Sequence, residues 1–203
     1  MSSDYASRNF LITSFKTNTY GWLVVFVMFL VLSMVSVTRA SIGLAMPTLE
    51  QTMGWSRSFL SSVVAAALIC MALVSPFVGN LLDRVGPRKI LLGGLLTTAG
   101  ALILMSQSNH SWQFFIAYTF FGGIGFGIVS KNVAGATIAR HFDQNRGFAV
   151  GVANAGSTAG HIALLPVMAV ILTAASWRWG YLFLAAICFV LLPVVWKWIR
   201  PGP

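Results

Sequence analysis

Arg39, Lys131 and His161 are the residues of this chain with chemistry to offer, because each stands inside an apolar run. An ionisable side chain within a bilayer costs on the order of 2.5–3.5 kcal/mol and is retained where it faces a cavity or a partner. Arg39 precedes the helix-breaking pair Met46–Pro47 by seven residues, about 10 Å of depth at about 1.5 Å per residue. Lys131 precedes Arg140 by nine, about 13 Å by the same rise. His161 follows Gly147 by fourteen, which puts it near the bilayer midplane.

The neighbours of these groups give each a face. Ser36, Arg39 and Gly43 share one side of a helix. Gly123, Gly127, Lys131 and Gly135 recur every four residues, so Lys131 is expected on a glycine ridge that points into the protein, with Asn132 beside it. Asn154, Ser157, Thr158 and His161 align by i, i+3, i+4 spacing. Each group also has a plainer reading. The long stems of Arg39 and Lys131 can snorkel to the interface, and His161 can be a hydrogen-bonded packing residue. Its sharper role is a substrate ligand or proton-linked switch, since an unperturbed imidazole titrates near ~6.5.

Together these residues predict a binding site for a small organic anion, a mono- or dicarboxylate. The candidate ligands are Arg39, Lys131, His161, Asn154 and Asn132. No Asp or Glu falls within the expected spans, so the positive charge is unopposed. A guanidinium takes a carboxylate through two parallel hydrogen bonds. The sequence shows no nucleophile–base pair, metal-ligand cluster or phosphate-binding glycine loop, so neither an enzyme nor a cofactor is expected.

The elements that must position these groups are membrane helices. Hydrophobic residues make up 57% of the 203 and charged residues 8%. The apolar runs are continuous rather than alternating, which excludes a β-barrel. Six spans are expected, near Gly21–Met46, Phe59–Leu82, Arg88–Met105, Trp112–Ala139, Phe148–Ala174 and Tyr181–Trp196. Pro76 is an expected kink. The formal charge of +9 comes from bases scattered through short loops, which argues against nucleic acid. With a cytoplasmic N-terminus, nine Lys and Arg fall inside against Arg57 and Arg178 outside. The positive-inside rule then puts both termini in the cytoplasm. A plasma (bacterial inner) membrane is the expected location, and no cleavable signal peptide is evident.

One polar knot interrupts the spans. Gly79–Lys89 reads GNLLDRVGPRK. Asp83 is expected to accept hydrogen bonds from a helix start, and Arg84, Arg88 and Lys89 to hold headgroups or helix C-termini. This run resembles the loop signature of the major facilitator superfamily, G-x-L-x-D-R-x-G-x-R-K. Gly79, Leu81, Asp83, Arg84, Gly86, Arg88 and Lys89 stand where that pattern wants them, while Pro87 departs from it. The resemblance implies an all-α fold, a transporter and a conformational-gating role for Gly79, Asp83, Arg84, Gly86, Arg88 and Lys89.

In that family two six-helix halves, each made of two inverted three-helix repeats, rock around a midplane site. This chain resembles the N-terminal half. Residues 1–19 are then a cytoplasmic tail, 20–198 the six-helix bundle and 199–203 a second tail. The expected partners are an anion, membrane lipid and a second half, from the same or another chain. GWLVVF, GWSR and RGFAVGVANAGSTAG are similar to the monocarboxylate/oxalate–formate branch, which implies proton symport or anion exchange. Other readings stay open: a multidrug or neutral-solute carrier, or a non-transporting half-size membrane protein. GSTAG lacks the proline and paired glycine that drug–proton antiporters of the superfamily carry in helix 5.

Overall fold

The computed structural model describes residues 19–142 and 145–199. The tail bases Arg8, Lys16 and Arg200, and most of both expected tails, lie outside the described residues.

Among the described residues, six helical spans are long and apolar enough to cross a membrane. They are α1 (Thr19–Met53), α2 (Arg57–Val85), α3 (Pro87–Gln107), α4 (Ser111–Ala139), α5 (Arg146–Ala174) and α6 (Trp177–Trp198). Helix α1 does not stop at Pro47. A proline removes one hydrogen bond, and the remaining ladder carries α1 on to Met53. Gly54 ends it, with φ 69° and its N–H on the Glu50 carbonyl. Arg39 consequently lies fourteen residues from this end, about 21 Å along the axis. Helix α2 likewise runs through Pro76 without a break.

The expected loop at Gly79–Lys89 shrinks to one residue. Gly86, at φ 86°, separates α2 from α3, and Pro87 opens α3. Only a residue without a Cβ adopts that backbone cheaply. Asp83 does not cap a helix. It is 75% exposed and pairs with Arg140 at the end of α4, Oδ1 to Nη2 at 2.6 Å.

Helix pairing follows a pattern. The α1 helix lies against α5 and α6, α4 lies against α2 and α3, and α3 lies against α6. Advancing each helix number by three, modulo six, maps this set onto itself, as two repeats of one three-helix unit require. The α1–α5 contact is close enough to exclude side chains. A Cβ on Gly156 or Gly160 would collide with the α1 backbone at Phe29 or Ser33. The Ser33 hydroxyl donates to the Gly156 carbonyl at 2.6 Å across this seam.

At one end of the bundle, Trp55, Phe114, Trp177 and Tyr181 stack into an aromatic cluster with neighbouring centroids 5.1–6.4 Å apart. Trp177 and Tyr181 are fully buried there. At the other end, the Arg88 guanidinium lies 3.9 Å over the Trp196 ring and ties α3 to α6.

Candidate functional site

The fourth span is built in pieces, and its breaks build the site. An α-helical turn at Ser111–Ile116 leads into a π-helical turn at Ala117–Gly122, followed by Gly123–Ile128. The chain then leaves helical geometry at Val129 (φ −95°, ψ 68°) and Ser130 (φ −105°, ψ 161°), and a new segment runs over Lys131–Ala139. Ser130 has the residue type that starts helices. Its hydroxyl accepts from the Val133 N–H at 3.4 Å.

These breaks correct the expected glycine ridge. Gly123 faces Ala67 and Cys70 of α2, Gly127 faces Met71 and Val74, and Gly135 faces Val150 of α5. Lys131 is not a member of that ridge. It opens the second segment of α4 and is exposed. A lysine is an unfavourable choice at a helix N-terminus, where the backbone already presents positive potential.

Lys131 and Arg39 line the same cavity, of about 200 Å³, with Ser130, Asn132, Ser36 and Ser157. Its apolar lining comes from Leu32, Val35, Met71 and Val129. Three of the expected ligands, Arg39, Lys131 and Asn132, are thus brought together by α1 and α4. Neither cation has an ion-pair partner among the described residues. The ion pairs there are Arg57–Glu50 and Arg140–Asp83, both at helix ends.

His161 lies elsewhere. Its Nε2 is 2.9 Å from the Ser36 hydroxyl and 3.3 Å from the Ser36 carbonyl, the neighbouring-helix hydrogen bonding that the plainer reading expects. It also lines a second cavity, of about 300 Å³, that contains Arg39 and Ser36 but not Lys131. Asn154 lines neither of these cavities. It is half-buried, and its Oδ1 has no hydrogen-bond partner among the described residues.

Two site residues were missed from the sequence. Tyr118 stands in the π turn, and its hydroxyl donates to the main-chain carbonyl of Arg39 at 3.2 Å. Phe126 carries the Arg39 guanidinium 6.0 Å from its ring centroid. The aromatic run before Gly122–Gly123 was the available signal for Tyr118, but the register that aims it at α1 depends on the π turn. Among the described residues no cluster of His, Cys, Asp and Glu is arranged to hold a metal.

The family model of the Major Facilitator Superfamily matches residues 11–203. The chain belongs to the Major Facilitator Superfamily. Monocarboxylate transporter 11 of Mus musculus is 30% identical over 175 residues, 86% of this chain and 39% of that protein. The 4-hydroxybenzoate transporter PcaK of Pseudomonas putida is 31% identical over 113 residues, 56% of this chain and 25% of that protein. The proton:xylose symporter XylE superposes with a TM-score of 0.80 at 18% identity, covering 91% of this chain and 46% of XylE. The chain therefore spans about two-fifths of the length of its monocarboxylate-transporter relatives and carries six helices of the facilitator fold.

Proposed function

We propose that this six-helix unit is half of a secondary transporter for a small organic anion, a carboxylate, working by alternating access. The observation that carries the reading is the placement of Arg39 and Lys131 on one cavity with no acid in its lining. The carboxylate sits between the Arg39 fork and Lys131, and the N-terminal end of the Lys131–Ala139 segment adds positive potential. Asn132, Ser130 and Ser157 supply neutral hydrogen bonds. Two of the relatives, a monocarboxylate transporter and a 4-hydroxybenzoate transporter, are carboxylate carriers by name, which supports the class.

His161 adds or removes a cation beside Arg39 and so couples anion binding to protons. Transport is proton symport or anion exchange across a plasma membrane, with both termini cytoplasmic. A second six-helix half closes the site, and the Asp83–Arg140 end of the bundle latches and releases as the halves rock.

Uptake into proteoliposomes of the protein together with its second half tests this. Labelled lactate uptake should be competed by other small carboxylates and not by organic cations. Competition by organic cations alone would overturn the reading.

A further inference from the structure

Arg88 is held by its face and left unanswered at its edge. The guanidinium stacks 3.9 Å over the Trp196 ring. Its Nε is buried with no hydrogen-bond partner among the described residues. The ion pairs there, Arg57–Glu50 and Arg140–Asp83, involve neither α3 nor α6. A guanidinium fixed through its face keeps its terminal NH2 groups as a two-pronged donor for phosphate or carboxylate.

The surroundings add charge of one sign. Lys89 follows Arg88, Lys197 follows Trp196, and both lysines are exposed. Arg88 and Lys89 are the second and third residues of α3. A helix start already presents positive potential, and their charge adds to it. Neither α3 nor α6 contains an acid. Three bases thus gather around one aromatic ring where α3 begins and α6 ends.

Beyond the bases the same face is apolar and open. Gly93, Leu96 and Gly100 follow Lys89 at i+4, i+7 and i+11. A Cβ on either glycine would meet nothing within 4 Å, and Leu96 is half-exposed. On α6, Phe189, Val190 and Trp196 are exposed. Neither helix contributes a residue to the two cavities that Arg39 lines, so this face lies outside the walls of the transport site. Bases at a helix end above an apolar shelf match a phospholipid, with the headgroup on the charges and an acyl chain on the shelf. A soluble phosphate would leave the shelf unused.

We propose that the α3–α6 end binds one anionic glycerophospholipid, its phosphodiester on Arg88, Lys89 and Lys197 and an acyl chain along Gly93, Leu96 and Gly100. The site is separate from that of the transported anion and does not depend on what the substrate is.

The test is native mass spectrometry of the protein in detergent, titrated with dioleoyl phosphatidylglycerol or dioleoyl phosphatidylcholine. The first phosphatidylglycerol should bind about tenfold or more tightly than the first phosphatidylcholine, the scale of two or more bases acting on one net negative charge. Arg88→Gln, Lys89→Gln and Lys197→Gln should each weaken phosphatidylglycerol about fivefold. The two lysine variants stand at exposed positions and keep the test decisive if Arg88→Gln does not fold. Arg84→Gln removes the same charge from an exposed position on α2 and should change the affinity less than twofold. Inorganic phosphate at millimolar concentration should not displace the lipid. Equal affinity for the two lipids, as large a loss in Arg84→Gln as in the lysine variants, or displacement by inorganic phosphate would overturn the proposal.

Discussion

Asp83 and Arg140 meet at 2.6 Å although 57 residues separate them, and their contact joins the ends of α2 and α4. The pair is solvent-exposed. Exposed pairs contribute about 0–1 kcal/mol, so its role is to register two helices rather than to stabilise the bundle. Asp83→Asn should change thermal unfolding in detergent by a few degrees at most. If the pair latches one transport state, the same variant should change the transport rate severalfold. Asp83→Arg with Arg140→Asp should restore that rate, and a double variant as slow as Asp83→Asn would remove the latch.

The α1–α5 seam predicts a sharp contrast between glycines. Gly156→Val and Gly160→Val should lose folded protein, since their side chains would meet the backbone of Phe29 and Ser33, which cannot yield. Overpacking typically costs about 1–3 kcal/mol, more where backbone must move. Gly151→Ala, on the same helix but facing open space, should be neutral. Monodisperse yield on gel filtration and the midpoint of thermal aggregation measure the difference.

Ser130 should matter twice. Ser130→Ala removes the side-chain cap of the Lys131–Ala139 segment, a loss of about 1 kcal/mol. It also removes a hydroxyl from the cavity lining. Anion affinity should fall while the circular dichroism of the six-helix bundle stays unchanged. Ser130→Thr, which keeps the hydroxyl, should retain most of the affinity.

Arg39 and Lys131 should not be equivalent. Arg39→Lys keeps the charge but loses the two-pronged fork and the guanidinium's approach to the Phe126 ring, 6.0 Å from its centroid. It should weaken carboxylate binding by about tenfold or more, the scale of one charge-assisted hydrogen bond. Lys131→Arg should be tolerated better, because an ammonium there acts as a point charge. Titrating both variants with one carboxylate under the same salt decides it.

If anion binding is coupled to protons through His161, His161→Gln should abolish the pH dependence of that binding. The amide can still bond Ser36, as the imidazole does, but it cannot acquire a charge. The charged and titratable groups lining its cavity are Arg39 and Tyr118. A pH profile unchanged by the substitution would leave His161 a packing residue.

Most of the architecture was legible because lipid imposes it. Six continuous apolar runs can satisfy their backbone only as helices, and the boundaries read from the sequence fall within a few residues of those observed at most ends. Pro47 was the exception. Its missing N–H is a local signal, yet one lost hydrogen bond does not end a helix whose Ala45 and Leu49, on either side of Pro47, stay buried against the bundle. The signature at Gly79–Lys89 pointed to the family; its Gly86 is the one-residue turn between α2 and α3, and its Asp83 pairs with Arg140.

The candidate site was half legible. Charge inside an apolar run is visible without coordinates, so Arg39 and Lys131 were found by type and depth, and Asn132 as the neighbour of Lys131. What joins them was not. A four-residue glycine period presumes an unbroken helix, and α4 is interrupted at Ala117–Gly122 and again at Val129–Ser130. Those breaks turn Lys131 toward Arg39 and carry Tyr118 to the α1 backbone. The sequence by itself determined the class, the spans and the cations inside apolar runs, because hydrophobicity and charge act residue by residue. Only the tertiary structure decided that Arg39 lines two cavities, one with Lys131 and one with His161, and that Asn154 lines neither, because those relationships depend on how α1, α2, α4 and α5 meet.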